Sequence, residues 1–524
     1  MTTTPEETPS KARYLALIAM LFAVAMTFID QTIVSIATPR IQEELVLSRS
    51  GVQWVVNGYI LALAAGFAFG GRLADVIGSK RMVLIGITGF AGASALCGAT
   101  PKGSLAEAWI IFFRVLQGLS AALMIPAALA VVVSSFPIRE RGKALAIFFG
   151  VSGGLTAVGP IAGGYLTQWT WRAIFWINVP IAVLAIVLAV MAHIKTSGRR
   201  EPIDLLGAVL AAAGMGLSVF GFEQAETWGW SDVRTWLCIV GGLVVIAVFV
   251  RVQLRTKYPL IKVRIFNDRA FLVDNVVLFF SMIAFVPVFF FASVYSQVSL
   301  RYDATSAGLY LLVFFAGFAP AAQVGGRLLD SRGAKLPIVA GSLIGAIGFL
   351  LWAVKLTDLS LGAQWYAIVL AGAGIGLLLG PASTDAVNRA IGASYGEVTG
   401  ISQTVRNYGS ALGLAVLGTL LGNVFANRLT NTFTAAGIPA DQAAKAASAA
   451  ASSSTGGTGG SAPGGASSAI AAKIQAAIPA DFAVATRAVL IGMAIVLGIS
   501  LVASLFHPGG VVTHEKPAEE PAQI

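Results

Sequence analysis

A ten-residue segment occurs twice in this chain. The first copy is Gly71-Arg72-Leu73-Ala74-Asp75-Val76-Ile77-Gly78-Ser79-Lys80. The second is Gly326-Arg327-Leu328-Leu329-Asp330-Ser331-Arg332-Gly333-Ala334-Lys335. Gly, Arg, Leu, Asp, Gly and Lys agree, six positions of the ten. Each copy lies between two long apolar runs. The same charged, glycine-bearing turn in both halves constrains the fold to two related helical units.

The apolar runs define the solvent. The chain is 56% hydrophobic and only 11% charged, where soluble domains carry about 25% charged residues. That much apolar surface requires lipid around it. The net charge of +10 would fit a nucleic-acid binder, but the basic residues form no stripe or aromatic-interleaved patch. They sit in short turns, where anionic headgroups are the simpler partner. Cys97 and Cys238 fall inside apolar runs and read as small core residues. His193, His507 and His514 sit at or beyond span ends with no metal-ligand spacing. Neither a metal nor a cofactor is expected.

Fourteen runs of about 20 apolar residues are long enough to span a bilayer. The first is read as a retained span. The first turn lies between spans two and three, the second between spans ten and eleven. If a second unit begins at span nine, both turns join the second and third spans of their unit. The layout is then six, two, six. Residues 14–193 form an N-terminal six-helix bundle, 194–269 two extra helices with linkers, and 270–506 a C-terminal six-helix bundle. The tails are 1–13 and 507–524. Within the second bundle, residues 429–483 read as a flexible external loop rich in Ala, Ser, Gly and Thr. With both termini cytoplasmic, inner segments carry about 22 Lys and Arg and outer segments about 10, as the positive-inside bias requires. Trp109, Trp169, Trp171, Trp228, Trp230 and Trp365 then fall near outer ends, as an aromatic belt would.

Polar groups inside spans are the functional candidates. Asp30 lies in the first span on one face with Thr27, Gln31, Ser35 and Thr38. Burial disfavours its charged form, which brings reversible protonation within reach of neutral pH. The plainer alternative is a span-end Asp facing outer water. Arg114 in span four needs a partner, or else snorkels to the surface. Trp54, Asn57, Tyr59, Gln117 and Gln403 are candidate cavity liners, with Gln31. The six Phe residues between Phe279 and Phe291 are expected to point mostly at lipid. In span five, Gly150, Gly153, Gly154, Ala157, Pro160 and Gly164 share one helical face, which allows close helix approach and a bend. In the turns, Gly71, Gly78, Gly326 and Gly333 permit tight reversal. Asp75 can cap a helix N-terminus, and Arg72, Lys80 and Arg81 can pair with it or its neighbours; Arg327, Asp330 and Lys335 hold the matching positions of the second turn.

These motifs carry a resemblance. Gly71-x-Leu73-Ala74-Asp75-x-x-Gly78-x-Lys80-Arg81 resembles the signature cytoplasmic loop of the major facilitator superfamily, with Val76 where that family often has a basic residue. Gly159-Pro160-x-x-Gly163-Gly164 resembles the antiporter motif of its drug:proton exporters. Ile29-Asp30-Gln31-Thr32-Ile33-Val34-Ser35-Ile36-Ala37-Thr38-Pro39 resembles the first-span motif of the fourteen-span group, with Ser35 and Thr38 as departures. Arg114 matches the superfamily's fourth-span arginine. The resemblance implies an all-α membrane protein of the major facilitator fold, with fourteen transmembrane helices around a cavity that opens alternately to each side. It implies a non-enzymatic, proton-coupled antiporter of the cell membrane that exports amphipathic drugs or toxic compounds. Its expected partners are the small substrate, protons and the lipid bilayer, and it is expected to act as a monomer. The implied site is Asp30 and Arg114 for proton coupling, with the two turns as cytoplasmic gates. The nearest alternative is a dedicated exporter of one endogenous metabolite or lipid. An uptake symporter, a receptor and a membrane enzyme fit the motifs less well.

Overall fold

The helices follow from the apolar runs, because a backbone in lipid must satisfy its own hydrogen bonds. The computed structural model describes residues 10–136, 158–192, 204–389, 395–445 and 468–510, with a few isolated residues between. Among the described residues there is no strand.

The first bundle holds α1 (Ser10–Leu45), α2 (Arg49–Ile77), α3 (Ser79–Gly98), α4 (Ala106–Ser135), α5 (Val158–Trp169), the short α6 (Ala173–Trp176) and α7 (Asn178–Met191). Between the bundles lie α8 (Leu205–Trp228) and α9 (Val233–Arg255). The second bundle holds α10 (Arg269–Val298), α11 (Ala304–Arg332), α12 (Lys335–Lys355), α13 (Leu361–Arg389), α14 (Tyr395–Ala435) and α15 (Ser468–Leu505). Thirteen helical segments among the described residues are long and apolar enough to cross a membrane. The expected fifth span is described continuously only from Val158, so Gly150 and Gly154 lie outside the described residues.

The repeat is visible in the packing. In the first bundle α2 and α3 both pack on α4, and α1 packs on α4, α5 and α7. In the second, α11 and α12 both pack on α13, and α10 packs on α13, α14 and α15. In these pairings the helices of the second bundle take the neighbours that their counterparts take in the first. The extra helices pack on each other, and α8 also lies against α2 and α14.

The repeated turns are built alike. Gly78 (φ 102°) follows α2 and donates its N–H to the Ala74 carbonyl at 3.1 Å; Gly333 (φ 80°) follows α11 and donates to the Leu329 carbonyl at 2.9 Å. Such backbone angles favour glycine. Neither aspartate is the N-cap residue of the helix that follows it, a position held by Gly78 and Ala334. Asp75 belongs to the last turn of α2 and Asp330 to that of α11, while α3 and α12 begin without a side-chain cap. The reversal is so short that each aspartate falls before it.

Two further expectations are corrected. Within the stretch read as irregular, residues 440–445 and 468–477 are helical where the sequence allows short helices, and helix also covers 430–435 and 478–481. They carry Phe433 and Ile478, which are buried as is Phe482 nearby, and Thr432 Oγ1 donates to Asp481 Oδ2 at 2.5 Å. The phenylalanines of α10 do not point mainly at lipid either. Phe285, Phe289, Phe290 and Phe291 are buried, because α10 is packed by helices of its own bundle and by α1.

The bundles meet along α1–α10, α2–α14 and α5–α11. Gln297 Nε2 donates to the Ile36 carbonyl at 3.3 Å, and Gln168 Nε2 donates to Asp303 Oδ2 at 3.0 Å and Thr305 Oγ1 at 2.6 Å. These contacts lie at the end remote from the two glycine turns.

Candidate functional site

On the polar face of α1 the threonine hydroxyls bond locally and the Asp30 carboxylate does not. Thr27 donates its hydroxyl to the Val24 carbonyl at 2.7 Å, and Thr38 to the Ser35 carbonyl at 2.9 Å. Those hydroxyls are spent within their own helix. The Asp30 carboxylate has no such local donor. It finds its partners on α4, whose Gly118 packs directly on the Tyr59 carbonyl of α2.

There the residues close into a network. Arg114 Nη1 donates to Asp30 Oδ2 at 2.5 Å and to Gln117 Oε1 at 2.8 Å. Gln117 Nε2 donates to Asp30 Oδ1 at 2.9 Å. Arg114 Nε donates to the Val55 carbonyl of α2 at 2.7 Å, and the guanidinium lies 4.4 Å from the Tyr59 ring centroid. Asp30 is 0% and Arg114 1% exposed, which excludes both the water-facing Asp and the snorkelling Arg. An isolated buried charge is very costly, so pairing and full hydrogen bonding are what make this site tenable. Both carboxylate oxygens accept a charge-assisted or amide bond, an arrangement suited to the ionised acid.

The other sequence candidates divide. Tyr59 and Gln117 belong to this network, and Asn57 is buried near it on α2. Trp54 turns toward the extra helices, its ring 6.3 Å from that of Phe220 on α8. Gln31 and Gln403 are half-buried and outside the network's bonds. Of the turn residues, Arg72 Nη2 donates to the Pro202 carbonyl at 3.4 Å in the linker toward α8. Arg81, Arg327 and Asp330 are exposed, and Lys80 and Lys335 half-buried.

The glycines of α5 sit where two bundles touch one helix. Gly159 packs on Thr32 and Gly163 on Ile33 and Ile36 of α1; Gly164 packs on the backbone of Ala304 and Thr305, and Gly308 of α11 packs on the Pro160 carbonyl. The segment Gly159-Pro160-x-x-Gly163-Gly164 therefore forms a seam with small residues on both faces.

Two groupings went unread in the sequence. Glu44, near the end of α1, accepts from Arg172 Nη1 at 2.6 Å and from Trp171 Nε1 at 2.8 Å. Trp171 is 1% exposed and so is not part of an aromatic belt; the acid near the end of α1 was the signal for its partner. His507, read as an isolated span-end histidine, is buried beside Asp274 and Asp385.

A model described as Major Facilitator Superfamily matches residues 20–414. The chain belongs to the major facilitator superfamily. It is 34% identical over 409 residues to the tetracenomycin C resistance and export protein of Streptomyces glaucescens, covering 77% of this chain and 75% of that one. It is 33% identical over 424 residues to the puromycin resistance protein pur8 of Streptomyces alboniger, covering 79% and 82%. Among solved structures it is similar to the xylose transporter XylE from E. coli, with a TM-score of 0.55, 14% identity, and 78% and 92% coverage. At that identity the likeness concerns the fold, which is the major facilitator architecture.

Proposed function

We propose that this superfamily member is a proton-coupled antiporter that exports amphipathic small molecules across the cytoplasmic membrane. The observation that carries the reading is the fully buried Asp30–Arg114–Gln117 network. An acid and a guanidinium in the interior of a membrane bundle are a costly feature that a scaffold would not need. The names of the two relatives, one for export and resistance and one for resistance, support the outward direction. The excess of Lys and Arg in alternate segments supports cytoplasmic termini.

In the proposed cycle the structure's state has Asp30 charged and held by Arg114. A proton entering from outside neutralises Asp30 and frees Arg114 from it. The bundles then favour a different packing, because the proton has differential affinity for the two states. Substrate and proton are exchanged across the membrane in opposite directions. Each relative's name contains a single compound, tetracenomycin C or puromycin, so a dedicated exporter of one compound is the second reading. An efflux panel in cells with and without an uncoupler tests both. Uncoupler-sensitive resistance to several unrelated amphipathic compounds supports the first reading, and to one alone the second. Uncoupler-insensitive accumulation throughout removes proton coupling.

A further inference from the structure

A second set of buried titratable groups lies in the other bundle, near the glycine turn Gly333. Asp274 comes from the start of α10, Asp385 from the end of α13, and His507 from the segment just after α15. Asp274 is 0%, Asp385 1% and His507 1% exposed. A ligand-type atom from each lies within 4.8 Å of the others.

The tautomer of His507 follows from its neighbours. The Gly509 N–H donates to His507 Nδ1 at 3.0 Å, so Nδ1 carries a lone pair and no proton. The ring's proton is therefore on Nε2, which donates to Asp385 Oδ2 at 3.2 Å. Asp274 Oδ1 stands farther from that nitrogen, at 3.5 Å. Neither oxygen of Asp274 has a hydrogen-bond donor among the described residues. A bare carboxylate with no donor, buried beside a second carboxylate, is not tenable; one proton relieves both the desolvation and the like-charge repulsion. A cation at the same place would need the Nε2 lone pair, which this geometry gives to a proton.

The charges acting on Asp274 and His507 are those of the cluster itself. The other charged residues at this end are Lys262, Arg264, Asp268 and Arg269 before and at the start of α10, Arg327, Asp330 and Arg332 at the end of α11, Lys335 at the start of α12, Arg389 at the end of α13, and Glu397 and Arg406 on α14; α15 has none after Arg487. His507 lies beyond the span. Burial works against its charged form, while hydrogen bonds and charges from Asp274 and Asp385 work for it. The Gly509 bond occupies the Nδ1 lone pair that a second ring proton would need, so the proton that the two neighbouring acids require sits on a carboxyl.

We propose that Asp274, Asp385 and His507 form a second proton-binding site, loaded on Asp274 in the conformation seen here and emptied when α10, α13 and the segment after α15 move apart. Its place in the exchange cycle rests on the antiport reading; the bound proton does not.

Infrared difference spectroscopy on the purified full-length chain in lipid vesicles tests the proton directly. Wild type should show a protonated-carboxyl band at neutral pH. Asp274→Asn, which keeps the shape of a protonated acid, should lose it. Asp30→Asn and Asp385→Asn should keep it. Absence of the band from wild type, or its loss in Asp385→Asn alone, overturns the assignment. In proteoliposomes that exchange protons for substrate, Asp274→Asn should lower the proton-to-substrate ratio by one proton per cycle. An unchanged ratio with the band lost means the proton stays in place and overturns the emptying step. Failure of wild type to exchange at all counts against the antiport reading, and the band still decides the site.

Discussion

Asp30 and Arg114, from α1 and α4, meet at 2.5 Å with neither side chain more than 1% exposed. Each is the other's condition for being inside a membrane bundle. Removing one charge strands the other, whereas replacing both by amides leaves a neutral, hydrogen-bonding contact. Arg114→Gln alone should therefore destabilise the chain by about 3–5 kcal/mol. The Asp30→Asn/Arg114→Gln pair should recover a large part of that loss. Thermal unfolding in detergent measures both. Additive losses would mean that the two charges do not depend on each other.

The seam between α5 and α11 makes a second prediction. A Cβ at Gly308 would meet the Pro160 carbonyl. Gly308→Ala should cost about 1–3 kcal/mol of close packing, enough to lower the joined state roughly tenfold. Spin labels at Tyr165 and Leu309, both exposed, should report a broader distance distribution and efflux should fall at unchanged abundance. A distribution like that of wild type would show that the seam tolerates a methyl group.

The two turns should respond alike. Gly78→Ala and Gly333→Ala each force a side chain into a backbone region that glycine favours, at about 1–3 kcal/mol. Lowered melting temperatures of similar size are expected. A loss at one turn and none at the other would argue that the repeat is no longer structurally equivalent.

These predictions rest unevenly on what the sequence makes legible. The spans, the six-two-six layout and the duplicated turn follow from apolar run length and one repeated segment, because lipid leaves the backbone few choices. Asp30, Arg114 and Gln117 are each visible as polar groups in apolar runs, but their bonds are not. The pairing joins residues on different helices, and no local period encodes which helix faces arrive together. The same holds for His507, whose partners Asp274 and Asp385 lie far back in the chain. Trp171 and the α10 phenylalanines were misplaced for a related reason. Hydrophobicity sends a ring out of water, and only packing decides between lipid and core.

Asp303 supplies a pH dependence. Hydrogen bonds from the Ser306 side chain and amide, and then from Gln168, hold its carboxyl below the usual carboxylate range. Its contribution to joining the bundles is therefore present above the ordinary carboxylate value, about 4. It is lost as pH falls through the depressed value. The label pair at Tyr165 and Leu309 should move apart on acidification below about pH 4. Asp303→Asn should remove that transition, and a transition that persists in the variant would assign it to another acid.

The most direct measurement is proton movement on adding substrate to proteoliposomes that carry the wild-type chain or Asp30→Asn. The amide keeps the size of the side chain and can still accept from Gln117, but it cannot release a proton. Substrate-driven proton exchange by wild type and its disappearance in Asp30→Asn, with binding of a neutral substrate retained, is the predicted result. Undiminished exchange by Asp30→Asn would contradict the account, because the coupling proton would then travel by a route that does not pass through Asp30 and Arg114.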